Sequence, residues 1–220
     1  NRILNLTGAV YPVTPEAVAL TAYKINGEKV QGESNVRNVP GAVQKITIEP
    51  SQPSPTPEVI KDILSADMVV LGPGSLFTST LPPLLIPATR RALNSTRATL
   101  VYVCNIMTEA GETDGFDAFD HVKAIFHHLG RYPDTVIVNS TPVDETRLTR
   151  YREENAELVT VNEAAGTMTF TVTLSAASGT MIDSAIGSIR NSSGSVMRRF
   201  SPSKATRGRV RPVSTVRSCA

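Results

Sequence analysis

Met68-Val69-Val70-Leu71 is an unbroken apolar run that ends in Gly72-Pro73-Gly74-Ser75, followed at once by Leu76-Phe77-Thr78-Ser79. Four apolar residues are too few for a buried helix and fit a strand covered on both faces, as in a parallel sheet. The glycine turn then sits at the strand's carboxyl end. In open α/β sheets ligands bind in the crevice outside those ends, where backbone N–H groups of tight turns accept an anion. The rest of the chain is constrained by this strand-and-turn unit, because a parallel strand needs crossover connections on either side of it.

Such connections are legible. Thr56 is placed to cap a helix with Pro57 at its first position and Val59, Ile60, Ile63 and Leu64 on one apolar stripe. The pattern predicts a helix over 84–94, a strand over 100–104, a polar loop over 105–115 and a helix over 117–129. Val122, Ile125, Phe126 and Leu129 face inward on that helix, and Gly130 stops it. A third buried strand follows at 135–139, then a polar helix at 144–155 and a short strand at 158–161. Strands alternating with helices argue an α/β fold built of βαβ units. Residues 1–50 read differently, as mostly β. Alternation from Val18 to Tyr23, the hairpin signal Asn26-Gly27 and the return Lys29-Val30-Gln31 predict a hairpin, with a further strand over 45–49 and a proline-rich loop over 50–57.

With 220 residues and 40% apolar composition the chain can bury a real core. Its apolar runs fall far short of the roughly 20 residues that cross a bilayer, so no membrane span is expected. The N-terminus lacks a signal-peptide pattern and a starting methionine, which reads as a beginning inside a longer protein. Cys104 and Cys219 give no disulfide or metal framework, and a reducing cytoplasm is the default compartment. The net charge of +2 hides an asymmetry: beyond residue 174, eight basic residues face Asp183 alone, leaving 14 basic and 19 acidic residues in 1–174. The folded part is thus mildly acidic and offers no broad face for specific nucleic-acid binding. Residues 175–220, rich in Ser, Gly and Arg, read as a disordered tail. Only Phe200 interleaves with its arginines, which favours a solvated or non-native extension over a contact with nucleic acid or acidic lipid.

The turn at 72–75 is neither a Walker loop nor a dinucleotide fingerprint, since no Gly-Lys-Ser/Thr and no third glycine follow. Gly74 permits a tight turn, Pro73 stiffens it, and Ser75, Thr78 and Ser79 bring three hydroxyls to its amides. Two readings stand: an anion loop, or an ordinary strand-to-helix turn in which Ser75 or Ser79 caps the next helix. The loop after the Tyr102 strand sets Thr108, Glu112, Thr113 and Asp114 at a neighbouring carboxyl end, where they can accept hydrogen bonds from sugar hydroxyls or hold a metal through one or two contacts. Alternatively, Thr113 and Asp114 merely cap the next helix. His121 lies close to that loop, whereas His127 and His128 read as surface residues. No zinc pattern is present, no metal is expected, and no nucleophile and base pair can be assembled from spacing.

LGPGSLFTSTLPPLLIP (71–87), VYVCNIMTEAGETDGF (101–116), Asp120-His121-Val122, GAVYPVT (8–14) and Gly32-Glu33-Ser34 resemble the gluconeogenesis factor family, within the wider group that includes 2-phospho-L-lactate transferase. The resemblance covers about residues 1–161. It implies a CofD-like fold, a Rossmann-like three-layer parallel sheet with an inserted β-hairpin region, spanning 1–174. It also implies a cytoplasmic regulatory protein of central carbon metabolism and cell-wall supply that binds a nucleotide or nucleotide sugar such as UDP-N-acetylglucosamine, without specifying a cofactor. By position, Gly72, Gly74, Ser75, Thr78 and Ser79 would lie on the phosphate side, and Asn105, Thr108, Glu112, Thr113 and Asp114 on the facing loop. The alternatives are a transferase acting on a deazaflavin acceptor and a non-catalytic scaffold; a homo-oligomer is left open. The family's glycine-rich loop and acidic segment are expected to precede this chain, which therefore reads as lacking the first strands and half of the nucleotide site.

Overall fold

The computed structural model describes residues 8–139 and 142–161, with the backbone alone of Phe170–Val172 and Val210–Pro212. The predicted hairpin forms as β1 (Ala19–Lys24) and β2 (Lys29–Gln31), antiparallel with Ala22 opposite Val30. Gly27 takes the positive φ that its turn requires, and the Asn26 side chain accepts a hydrogen bond from the Glu28 amide. A third antiparallel strand, β3 (Val43–Glu49), pairs on the other side of β1, so the hairpin region is a small three-stranded sheet. Between them, residues Glu33–Val36 make one helical turn, α1.

The second sheet is parallel. Helix α2 (Pro57–Ser65) leads into β4 (Met68–Leu71); α3 (Pro82–Leu85) and α4 (Pro87–Ser95) cross to β5 (Thr99–Val103); α5 (Ala118–Leu129) crosses to β6 (Thr135–Val138). Helix α6 (Glu145–Glu153) follows, and the short strands β7 (Phe170–Val172) and β8 (Val210–Pro212) complete the order β7-β6-β5-β4-β8. The other residues of the proposed tail lie outside those described. Strands β4 and β5 are neighbours in register, Val70 beside Val101 and Leu71 beside Tyr102, so their carboxyl ends open side by side. This adjacency is what positions the site.

Several expectations need correction. The helix predicted over 84–94 is broken at Ile86, which is extended (φ −68, ψ 117), because Pro87 disfavours the helical conformation in the residue before it and starts α4 afresh. A π-helical turn, Leu76–Thr80, precedes α3. Among the strands of the parallel sheet with described side chains, the central strand β5 alone is buried on both faces; Met68 and Val70 of β4 are half-buried. Leu64 and Phe126 face solvent, not the core, lying at the margins of their apolar stripes. Leu158 makes a single bridge to Met107 where a strand was expected. Thr56 occupies the N-cap position of α2 through its carbonyl, without a side-chain cap, whereas α5 opens on a reciprocal capping box between Asp117 and Asp120.

Candidate functional site

The turn after β4 is pressed onto the end of β5. Gly72 has φ 76, and a Cβ there would sit 2.8 Å from the Val103 carbonyl oxygen, so the close approach admits only glycine. The Gly74 amide donates to Asn105 Oδ1 at 3.4 Å, which ties the turn to the loop after β5. Ser75 begins the π-helical turn: its carbonyl accepts from the amides of Ser79 and Thr80, and its hydroxyl accepts from the Arg37 guanidinium. Neither Ser75 nor Ser79 caps a helix with its side chain among the described residues. Ser79 is half-exposed.

Beneath this turn lies a buried carboxylate. Glu112 Oε2 accepts from the Phe77 amide (3.2 Å), and Oε1 accepts from the Thr78 hydroxyl (2.8 Å) and Arg37 Nε (3.3 Å). Burial pushes the Glu112 carboxyl above the usual carboxylate value, against the hydrogen bond from Thr78 and the charge of Arg37. Its own backbone carbonyl accepts from the Val43 amide of β3. Glu112 therefore joins both walls and the antiparallel sheet.

The rest of the loop folds on itself. The Glu109 amide donates to the Thr113 hydroxyl at 2.8 Å, and the Gly111 amide to Asp114 Oδ2 at 2.9 Å. Thr108 is buried and exchanges hydrogen bonds with Glu157, its amide to the carbonyl and its hydroxyl from the amide. Thus Thr78, Thr108, Glu112 and Thr113 are buried and satisfied by the protein itself, while Ser75, Ser79, Asn105, Asp114 and the glycine turn keep partial exposure. The first group can shape a site; the second can touch a ligand.

Sequence reasoning missed three contributors. Lys24 is buried, and its ammonium donates to the carbonyls of Val36 (2.8 Å), Val39 (2.8 Å), Gly41 (3.0 Å) and Gly111. Burial lowers its pKa, opposed by the nearby charges of Asp114, Glu112 and Glu28. A signal existed: Lys24 shares the parity of Leu20 and Ala22, the core-facing side of β1. Arg37 and Glu109 gave none, since their meeting across the molecule depends on tertiary packing. Gly111 is the hinge of that packing, with φ 76 and a notional Cβ 2.7 Å from the Arg37 carbonyl oxygen.

An aromatic column supports the site from α5. The rings of His121, Phe116, Phe77 and His128 meet edge to face in that order, at 5.6, 6.1 and 6.1 Å. His121 Nδ1–H donates to the Asp117 carbonyl, and its buried Nε2 has no hydrogen-bond partner among the described residues. His128 is buried as well, against the surface placement expected. Its Nδ1–H donates to the Ala124 carbonyl, and its Nε2 accepts from the Ile46 amide of β3. Burial holds both imidazoles below their usual value. Cys104 is a free buried thiol pushed up to about 12, which leaves no thiolate at neutral pH. Among the described residues no group of three or more His, Cys, Asp or Glu side chains could hold a metal ion, and no helix is long and apolar enough to cross a membrane.

Residues 1–178 match the family model described as 2-phospho-L-lactate transferase CofD. The chain belongs to the CofD family. Within it, the chain is 37% identical over 164 residues to a gluconeogenesis factor from Halalkalibacterium halodurans, covering 74% of this chain and 51% of that protein. It is 42% identical over 166 residues to a Deinococcus radiodurans protein provisionally named a gluconeogenesis factor, covering 74% of this chain and 36% of the relative. A crystal structure of a UPF0052-family protein from Bacillus halodurans superimposes with a TM-score of 0.71 at 37% identity, over 74% of this chain and 53% of that one. The chain thus spans about a third to a half of the length of these CofD-family relatives.

Proposed function

We propose that the chain is part of a nucleotide-sugar-binding regulatory protein of the gluconeogenesis factor type, acting in the cytoplasm on central carbon metabolism and cell-wall supply, with UDP-N-acetylglucosamine as the ligand class. The observation that carries this reading is the junction of the two polar loops at the adjoining carboxyl ends of β4 and β5, where the Gly74 amide meets the Asn105 side chain. Crevices of this kind are where parallel sheets receive nucleotides. The names of the relatives support the regulatory role. On this reading Gly72, Gly74, Ser75 and Ser79 face the phosphates, Asn105 stands where the two loops meet, and Asp114 faces the sugar side. Thr78, Thr108, Glu112 and Thr113 hold the two loops in shape.

The family description favours a second reading, transfer of a phosphate-linked small acid onto a deazaflavin acceptor. The names of the relatives weigh for the regulatory reading instead. Calorimetry and turnover assays separate the two. Micromolar binding of UDP-N-acetylglucosamine without turnover, weakened when Ser75 and Ser79 are both replaced by alanine, supports the regulatory reading. Product formation from a deazaflavin and a nucleotide-activated lactate would establish the transferase instead, and unchanged affinity in the double variant would refute the phosphate assignment.

A further inference from the structure

Arg37 is a partly exposed cation in contact with both loops, and its surroundings are unusual for an anion-binding arginine. Its guanidinium touches Ser75, Glu109 and Glu112 at once, so two carboxylates already compete for one positive charge. The two carboxylates are not equivalent. Glu112 is fully buried and fixed by Phe77 and Thr78 besides Arg37, and it cannot leave without stranding those donors. The Glu109 side chain keeps 23% exposure, and among the described residues its carboxylate is held by Arg37 and, at 3.3 Å, by Asn105 Nδ2. The Arg37 side chain is 54% exposed, while its main chain lies so close to Gly111 that a Cβ there would meet the Arg37 carbonyl.

The result is a pair of donors on one displaceable anion. Arg37 Nη2 and Asn105 Nδ2 donate to the two oxygens of the Glu109 carboxylate; the same Arg37 nitrogen donates to the Ser75 hydroxyl, and Asn105 Oδ1 accepts from the Gly74 amide, which fixes the side-chain amide in place. A carboxylate and one edge of a phosphoryl group present the same pair of acceptor oxygens to a guanidinium.

We infer that Glu109 is a built-in stand-in for the ligand's phosphoryl group: it occupies the Arg37 and Asn105 donors in the empty site, and a diphosphate displaces it. The inference rests on the nucleotide-sugar reading and adds a selectivity device to it. A neutral nucleoside cannot compete with an internal carboxylate for Arg37, whereas a doubly charged diphosphate can, so the latch filters for phosphorylated ligands.

The test is calorimetric titration of the full chain and two variants, Arg37→Gln and Glu109→Gln, with UDP-N-acetylglucosamine, uridine and inorganic diphosphate. Losing the charge-assisted contact in Arg37→Gln is expected to weaken UDP-N-acetylglucosamine and diphosphate binding by roughly tenfold or more, and removing the competitor in Glu109→Gln to tighten both by roughly tenfold. Uridine binding stays the same in all three proteins. Opposite signs from two partners of one ion pair would not arise from a structural role, which would make both variants worse. If the parent chain binds UDP-N-acetylglucosamine but both variants bind it equally well, or both more weakly, the latch is overturned while the site reading stands. If the parent chain binds neither the nucleotide sugar nor diphosphate, the site reading itself fails.

Discussion

Glu112 is a carboxylate in full burial with three donors converging on it, and its two replacements should behave very differently. Glutamine can direct its oxygen to the Phe77 amide and its NH2 to the Thr78 hydroxyl, losing only Arg37. Alanine leaves the Phe77 amide and Thr78 without partners in a buried space. Glu112→Ala is expected to cost about 3 kcal/mol and Glu112→Gln about 1 kcal/mol or less in chemical denaturation at pH 7. The pH dependence follows from the direction of the shift. A carboxyl whose folded pKa is raised contributes its full stability below the unfolded value and loses it as pH rises through the folded value. Glu112→Gln should therefore abolish a decline in stability above about pH 4; an unchanged decline would show that the burial of Glu112 is not its source.

Helix α5 and strand β3 are joined at the level of elements by one neutral imidazole. His128 uses Nε2 as an acceptor for the Ile46 amide, and protonation there would set N–H against N–H. With its folded pKa lowered, the stability it contributes is present above about pH 6.5 and is lost as pH falls through the folded value. Denaturation midpoints are expected to fall as pH drops below that point, and His128→Gln should remove part of the slope while His121 keeps the remainder; an identical slope in the variant would contradict the link. The elements themselves were largely legible. Apolar runs gave β4, β5 and β6, Asn26-Gly27 gave the β1–β2 turn, and Gly130, with φ 81, marks the end of α5 as expected. His128 was not legible, because two adjacent histidines near a helix end look solvated until β3 is laid across them. Phe126 failed in the opposite direction: its place in the stripe suited the core, yet it stacks on Tyr132 at the surface, 4.2 Å apart.

Over the whole molecule, the loop after β5 is a fastening point between the antiparallel sheet and the parallel one. Lys24 binds the Gly111 carbonyl, Val43 donates to the Glu112 carbonyl, and Arg37 reaches both Glu109 and Glu112. The position of the candidate site was readable from two strand-to-loop transitions, since parallel strands put those loops together. Which residues meet within it was not, because Lys24 and Arg37 enter from a part of the chain more than 70 residues away from their partners in the loop after β5. On the nucleotide-sugar reading the two loops act as one binding surface. Hydrogen–deuterium exchange of the full chain with and without UDP-N-acetylglucosamine tests this most directly. The prediction is that amides of residues 72–80 and 105–115 gain protection together at the same ligand concentration. Protection confined to one of the two loops, or appearing in neither, would contradict it.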